Sequence, residues 1–90
     1  MAKKTAKPVS FICLAPEAKA VAIVGDFNSW DPTANPMTRT PDGAWQGTVE
    51  ITHGHHQYAF LVDSTLRLDP RAQGIARNAN NERVSLLAVS

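Results

Sequence analysis

The chain has 90 residues and a formal net charge of +1; 43% of its residues are hydrophobic and 19% are charged. That length suits one small globular domain, and the near-zero charge gives no electrostatic case for nucleic acid or a membrane surface as a partner. The single cysteine, Cys13, excludes an internal disulfide framework.

The N-terminal segment "MAKKTAK" is rich in lysine and carries no apolar pattern. We predict that residues 1–8 form a flexible basic tail and that residues 9–90 form a single domain. The apolar stretch "SFICLA" is short and is followed by Pro16 and Glu17, so it resembles a signal peptide only superficially. No stretch reaches the roughly 18 apolar residues that a membrane span needs, and we expect a cytoplasmic protein.

The first half of the chain is predicted to form strands separated by turns. In "PVSFICLA", Val9, Phe11 and Cys13 fall on one side of a strand and Ser10 on the other. "PEAKA" is a turn, and "VAIVGDF" is a short apolar strand. "TPDGAW" has the Pro-Asp-Gly sequence of a tight hairpin turn, in which Gly43 can adopt a positive φ.

The second half continues this pattern. In "AWQGTVEI", Trp45, Val49 and Ile51 alternate with polar residues, and in "QYAFLVD", Tyr58 and Phe60 share one face. "THGHH" is a turn, "LRLDP" a brief edge strand and "RVSLLAV" the last strand. No window has a capped helical period. Six or seven short strands at intervals of about 8–12 residues predict an all-β protein with an antiparallel β-sandwich.

One long segment, "DPRAQGIARNANNE", is predicted to be irregular. It is about as long as ordinary loops become. We therefore expect it either to serve a function or to be held by the edge of a sheet.

No set of residues resembles catalytic machinery. The carboxylates of Asp26, Asp31, Asp63 and Asp69 all lie near turns, where hydrogen bonding to the local backbone explains them. No phosphate-binding glycine loop is present in the sequence. We expect neither enzyme activity nor a cofactor.

The histidines of "HGHH" are the one possible metal cluster. Gly54 indicates a turn between His53 and His55, and no cysteine or carboxylate follows at metal-ligand spacing. We therefore interpret the segment as a polar hairpin tip and predict no metal site.

The aromatic residues divide into two groups. Alternation places four of them in the core: Phe11, Trp45, Tyr58 and Phe60. Trp30, in the loop "GDFNSW", lies outside any strand pattern. From the pattern alone it is either a lid over the core or an exposed platform for a ligand, since a flat ring can stack against the C–H groups of a sugar.

Four motifs occur in order along the chain: "VAIVGDFNSWDP", "PDGAW", "HGHHQYAFLVD" and the Asp69-Pro70 pair. Together they resemble the early-set domains found beside isoamylases and branching enzymes. They are most similar to family-48 carbohydrate-binding modules, including the glycogen-binding domain of AMP-activated protein kinase β subunits. The resemblance runs from about Val9 to Val89. It implies an immunoglobulin-like, early-set β-sandwich of about seven strands and places Phe27 at the end of the sandwich.

In that family the glycan site is assembled from two tryptophans, a lysine and an asparagine. Trp30 matches the first tryptophan, and either Asn80 or Asn81 matches the asparagine, which lies just before the last strand. Ala59 occupies the position of the lysine and Leu66 that of the second tryptophan. Two of the four contacts that the resemblance implies are therefore missing, and Arg67 is a candidate to replace the lysine as a donor to sugar hydroxyls.

The resemblance implies a non-catalytic, weak α-glucan-binding module of the glycogen or starch type. Its expected ligand is an α-glucan polysaccharide or maltooligosaccharide, and a separate glycogen-active enzyme is a candidate partner. The alternative is an early-set domain that has lost the sugar and acts as a protein-interaction module, through an exposed strand edge or the Trp30 surface.

Overall fold

The computed structural model describes residues 6–89, which form eight antiparallel strands and no helix. The strands are β1 (Ala6–Leu14), β2 (Val21–Gly25), β3 (Thr38–Arg39), β4 (Ala44–Thr52), β5 (Gly54–Val62), β6 (Thr65–Arg67), β7 (Gly74–Arg77) and β8 (Arg83–Val89). This confirms the predicted all-β sandwich, with eight strands instead of about seven. With no helix among these residues, none of them forms a helix that could cross a membrane.

The strands form two sheets. One has the order β1-β4-β3, and the other has the order β2-β5-β8-β7, with β6 pairing with the second half of β5. On one side the sandwich is closed by residues 35–37, which cross from β2 to β3. The N–H of Ile23 donates to the carbonyl of Asn35, and the N–H of Met37 donates to the carbonyl of Val21.

The main core lies between the two sheets. In β1 and β4 the residues that face it recur at every second position, as with Phe11 and Cys13 or Val49 and Ile51. The four aromatic residues predicted to be internal are all buried: Phe11, Trp45, Tyr58 and Phe60. The Trp45 indole N–H donates to the carbonyl of Ala15 at 2.9 Å. Cys13 is also buried, and this burial raises the pKa of its thiol, against an opposing effect of the nearby Arg67 charge.

A second, smaller apolar cluster lies on the outer face of the five-stranded sheet. Its buried members are Val24, Ala59 and Val84, and the partly buried residues packed against them are Trp30, Leu61, Leu66 and Ala76. This cluster exists because β5 is apolar on both faces. Tyr58 and Phe60 point into the main core, while Ala59 and Leu61 point outward.

Two turns depend on positive backbone angles. Gly43, in the hairpin between β3 and β4, has φ of 87°, as predicted. Asp63 and Ser64 connect β5 to β6 with φ of 48° and 70°. One carboxylate oxygen of Asp63 accepts hydrogen bonds from the N–H groups of Lys19 and Ala20, both at 2.9 Å, which ties this turn to the start of β2.

The first strand begins earlier than predicted. Ala6 pairs with Thr52 and Pro8 with Glu50, so residues 6–8 belong to the sheet and not to a tail. Residues 1–5 of the predicted tail lie outside the described residues. The assignment of 9–90 as one domain stays a prediction.

Candidate functional site

A groove of about 340 Å³ lies over the second apolar cluster, on the outer face of the five-stranded sheet. Its floor and one wall are apolar, and the other wall comes from the loop between β7 and β8. The lining residues are Val24, Trp30, Pro32, Leu61, Leu66, Asn78, Ala79, Asn80 and Glu82. Its volume falls near the lower end of the roughly 300–1,000 Å³ of small-molecule sites.

The Trp30 wall is held by a tight turn that follows β2. The carbonyl of Gly25 accepts hydrogen bonds from the N–H groups of Asn28 at 3.1 Å and Trp30 at 2.9 Å. Ser29 and Trp30 both have positive φ, 59° and 57°. Two consecutive non-glycine residues in the left-handed region require support from their surroundings.

The side chain of Asn28 supplies that support. Its Oδ1 accepts from the N–H of Gly25 at 3.0 Å, and its Nδ2 donates to the carbonyl of Ile23 at 3.0 Å and to Oδ1 of Asn35 at 2.8 Å. Because all these partners lie on β2 or beside it, the amide fastens the Trp30 turn to the sheet.

The residues on either side of Asn28 also restrain the turn. At Gly25 an added Cβ would lie 2.6 Å from the Phe27 ring and 2.7 Å from the carbonyl oxygen of Gln57, so only glycine fits. Phe27 packs on the main core and stacks on Phe11 with ring centroids 6.5 Å apart, as predicted. The backbone N–H and the hydroxyl of Thr33 hydrogen-bond to Asp31 and lower the pKa of its carboxyl group.

Trp30 combines both roles that the sequence left open. Its side chain is partly exposed, packs against the second cluster and lines the groove. It therefore covers this small outer cluster and not the main core. Its indole N–H makes no hydrogen bond within residues 6–89, so it is free to donate to a ligand.

The opposite wall is organised by Asn78. Its Oδ1 accepts from the N–H groups of Asn80 at 2.9 Å and Glu82 at 3.0 Å, and its Nδ2 donates to a carboxylate oxygen of Glu82 at 3.3 Å. The side-chain amide of Asn80 is exposed and has no hydrogen-bond partner in the described part of the chain. The wall therefore presents one free amide and one carboxylate to the groove.

The structure brings together three of the five predicted site residues: Trp30, Leu66 and Asn80. Asn81 does not line the groove; its backbone carbonyl accepts a hydrogen bond from Nη1 of Arg77 at 2.9 Å. Of the two asparagines that were open as alternatives, Asn80 is the one on the groove.

Arg67 lies elsewhere, which corrects the suggestion that it replaces the family lysine. It follows Leu66 on β6, and adjacent strand residues point to opposite faces. Leu66 pairs with Leu61 on the groove side, whereas Arg67 pairs with Phe60 and lies beside Cys13. Ala59, at the lysine position itself, is fully buried beneath the groove.

The histidine cluster is divided among different environments. His53 lies at the hairpin tip and His55 is exposed, whereas His56 turns toward Asp26, with Nδ1 2.9 Å from a carboxylate oxygen. Its Nε2 lies 2.8 Å from the carbonyl of Thr52. Within residues 6–89 no group of three or more metal-ligating side chains comes together.

Sequence reasoning missed Leu61, Asn78 and Glu82. Leu61 could have been found, because "QYAFLVD" alternates Ala59 and Leu61 against the core residues and so has two apolar faces. The loop residues Asn78 and Glu82 lie in the segment predicted as irregular, where no periodicity marks which side chains face a site.

The β-sandwich and the groove with one tryptophan and a polar wall define a binding module. Residues 2–72 match the family described as carbohydrate-binding module 48 (isoamylase N-terminal domain). The chain belongs to this family, which confirms the family that the sequence motifs resembled. The match includes Trp30 and Leu66 and ends before Asn78.

Individual relatives agree with this assignment. The chain is 39% identical over 75 residues to a 1,4-alpha-glucan branching enzyme of Lactiplantibacillus plantarum, covering 78% of this chain and 12% of that protein. It is 35% identical over 78 residues to the enzyme of the same name from Nitrobacter winogradskyi, covering 80% of this chain and 11% of that protein. For the branching enzyme of Prochlorococcus marinus the identity is 46% over 59 residues, or 66% of this chain and 8% of that protein.

The chain thus spans about a tenth of the length of these relatives. The part it matches is the family's binding module, which carries no catalytic domain. As predicted, these residues form a non-catalytic carbohydrate-binding module.

Proposed function

We propose that the groove binds an α-glucan weakly, as a maltooligosaccharide segment of a glycogen- or starch-type polymer. The observation that carries this proposal is the placement of Trp30 and Asn80 on opposite walls of one groove. A sugar ring can stack on the indole face, while the free amide of Asn80 and the carboxylate of Glu82 are suited to bind its hydroxyl groups.

The identity of the sugar is supported by the relatives, which are named as enzymes acting on 1,4-alpha-glucan. We propose by the same reasoning that the module works with a glycogen-active enzyme. A cytoplasmic location, and the absence of nucleic-acid and membrane partners, stay predictions from the sequence.

Weak binding follows from two residues of the groove. Leu66 offers packing area but no flat ring, and Ala59, buried beneath the groove, has no side-chain hydrogen-bond donor. An aromatic contact adds about 0.5–1.5 kcal/mol beyond its buried area. The single tryptophan must therefore provide most of the stacking free energy.

The test is calorimetric or NMR titration of the full chain with maltoheptaose, with cellohexaose as a β-linked control. We expect weak binding of maltoheptaose and less or none of cellohexaose. Trp30→Ala should abolish binding while the domain stays folded, losing less than the roughly 3–5 kcal/mol that truncation of a fully buried aromatic costs. Absence of maltoheptaose binding by the unmodified chain would reject the proposal.

Two variants separate stacking from packing. Trp30→Leu keeps an apolar cover over the second cluster but removes the flat ring, so it should also lose binding with a smaller loss of stability. Leu14→Ala truncates an apolar side chain that is 71% exposed on the other sheet and should change neither property. Retained binding by Trp30→Leu would show that the indole is not the platform.

A further inference from the structure

The two long sides of the sandwich differ. Residues 35–37 cover β2 on one side, while on the other side β1 is the edge of its sheet and pairs only with β4. Within the described residues, no backbone hydrogen bond joins the free edge of β1 to another segment. Such an edge is a template for an additional strand.

The free edge lacks the usual protection along its second half. Natural edge strands are shortened, bulged, or interrupted by lysine or proline. Lys7 and Pro8 protect the start of β1, but Val9–Leu14, "VSFICL", contains no charge and no proline. Ile12 and Leu14 on its outer face are 41% and 71% exposed.

A depression of about 210 Å³ opens between the sheets beside this edge. Its apolar lining includes Cys13 and Leu14 from β1 and Phe60 and Leu68 from the opposite side, and Arg67 and Arg71 are its charged residues. A second depression of about 220 Å³ shares Leu14 and Arg67 with the first and extends it toward residues 15–18. A strand added to β1 would lie along both.

The charged side chains that line the first depression are both positive. Arg67 and Arg71 are exposed, and neither guanidinium forms a salt bridge or hydrogen bond with residues 6–89. Glu17 lines the second depression, farther along the edge, and two other carboxylates nearby accept hydrogen bonds. Asp63 accepts from two backbone N–H groups, and Asp69 accepts from the Tyr58 hydroxyl and the N–H of Arg71.

We propose that the free edge of β1 binds an extended acidic–apolar segment of another protein as an added strand. Alternate side chains of such a strand point to opposite faces. Apolar side chains on the outer face would pack beside Ile12 and Leu14. Acidic side chains on the inner face would reach Arg67 and Arg71.

A second copy of this chain is a poorer occupant. β1 contains one charged residue, Lys7, and no acid, so two copies paired through this edge offer no counter-charge to Arg67 and Arg71. A twofold contact is self-complementary, and it would duplicate the positive charge. The β1 edge belongs to the other sheet from the glucan groove, so we expect a peptide on this edge to leave the groove open.

The probe is a short synthetic peptide in which valine and glutamate alternate, labelled for fluorescence anisotropy. In one control peptide lysine replaces glutamate. In the other, N-methyl groups on alternate residues remove the backbone N–H groups that would donate to β1. We expect the valine–glutamate peptide to bind and both controls to bind at least about tenfold more weakly. Amide hydrogen exchange should slow in Val9–Leu14.

Charge reversal tests the arginines. Arg67→Glu and Arg71→Glu should each weaken binding of the glutamate peptide several-fold and strengthen binding of the lysine peptide, whereas Arg83→Glu, a reversal on β8, should do neither. Trp30→Ala should leave peptide binding unchanged. The proposal is overturned if the three peptides bind equally or not at all, or if the peptide slows amide exchange outside β1 only. It is also overturned if light scattering shows that the chain dimerises and the amides of β1 are protected without peptide.

Discussion

Among residues 6–89, five residues other than glycine have positive φ, and they lie in three turns around the groove: Ser29, Trp30, Asp63, Ser64 and Asn81. The first turn holds the tryptophan wall, the second precedes Leu66, and the third contains Asn80. Strained backbone conformations persist where the surrounding structure holds them and are concentrated at binding sites. Here Asn28 and Asp63 provide much of that restraint through hydrogen bonds to the backbone.

Ser64→Gly should stabilise the protein. Ser64 has φ of 70° in a two-residue hairpin turn, where glycine carries no steric penalty. A residue other than glycine costs roughly 1–2 kcal/mol in the left-handed conformation, and glycine removes this cost. The greater freedom of glycine in the unfolded chain offsets part of the gain in stability. We expect a net gain of up to about 1 kcal/mol in urea unfolding.

Thr65→Gly is the control for that change. Thr65 is the next residue and lies in β6, without positive φ, so glycine there should destabilise the protein. A loss of stability in Ser64→Gly would show that the Ser64 side chain matters more than its backbone angle.

At the scale of the strands, alternation was a sufficient guide wherever one face was buried. β1, β4 and β5 were predicted within a few residues because their core-facing residues recur at every second position, whereas β8 was predicted although its buried positions do not alternate. β3 was missed because two residues cannot show a period. β7 was missed because Ile75, its one large apolar residue, is 57% exposed and its neighbours are polar or small.

The same reasoning decides which site residues could be foreseen. Trp30 and Leu66 were predicted because motifs place them, and the fold brings them to one groove. Arg67 was misplaced because it was chosen as the neighbour of Leu66, although adjacent residues of a strand face opposite ways. Asn80 and Asn81 could not be separated, since a loop has no fixed side-chain direction.

Leu66→Trp should strengthen glucan binding. Leu66 lines the groove, is only partly buried and lies at the position of the family's second tryptophan. A second stacking contact of about 0.5–1.5 kcal/mol corresponds to a roughly 2–10-fold gain in affinity for maltoheptaose. Thr65→Trp adds the same ring one residue earlier, facing away from the groove, and should give no gain. An unchanged affinity for Leu66→Trp would mean that the ring cannot reach the sugar.

At the scale of the molecule, one hydrogen-bonded group connects two strands of the five-stranded sheet to the loop that follows β6. The hydroxyl of Tyr58 on β5 donates to the carboxylate of Asp69 at 2.5 Å, and the N–H of Asp69 donates to the hydroxyl of the fully buried Ser85 on β8 at 2.8 Å. These contacts hold the start of the long loop against the sheet. Burial, and then the hydrogen bond to Asp69, raise the pKa of the Tyr58 hydroxyl above its ordinary value.

The raised pKa predicts a loss of stability at alkaline pH. The unfolded chain releases the tyrosine proton near pH 10, whereas the folded protein retains it at that pH. The Tyr58 hydroxyl therefore makes its full contribution to stability below pH 10, and this contribution is lost as the pH rises further. The fall approaches about 1.4 kcal/mol per pH unit. Tyr58 is the only tyrosine, so near-ultraviolet absorbance follows its ionisation directly.

Ionisation of Tyr58 should therefore coincide with unfolding detected by tryptophan fluorescence. Tyr58→Phe should be less stable at neutral pH by about 0.5–1.5 kcal/mol, the net value of one hydrogen bond, but should show a shallower alkaline decline. All other titratable groups are the same in both proteins, so the difference between the two curves isolates Tyr58. Ionisation near pH 10 without unfolding would show that the hydroxyl is accessible and that its contact with Asp69 does not hold the sheet together.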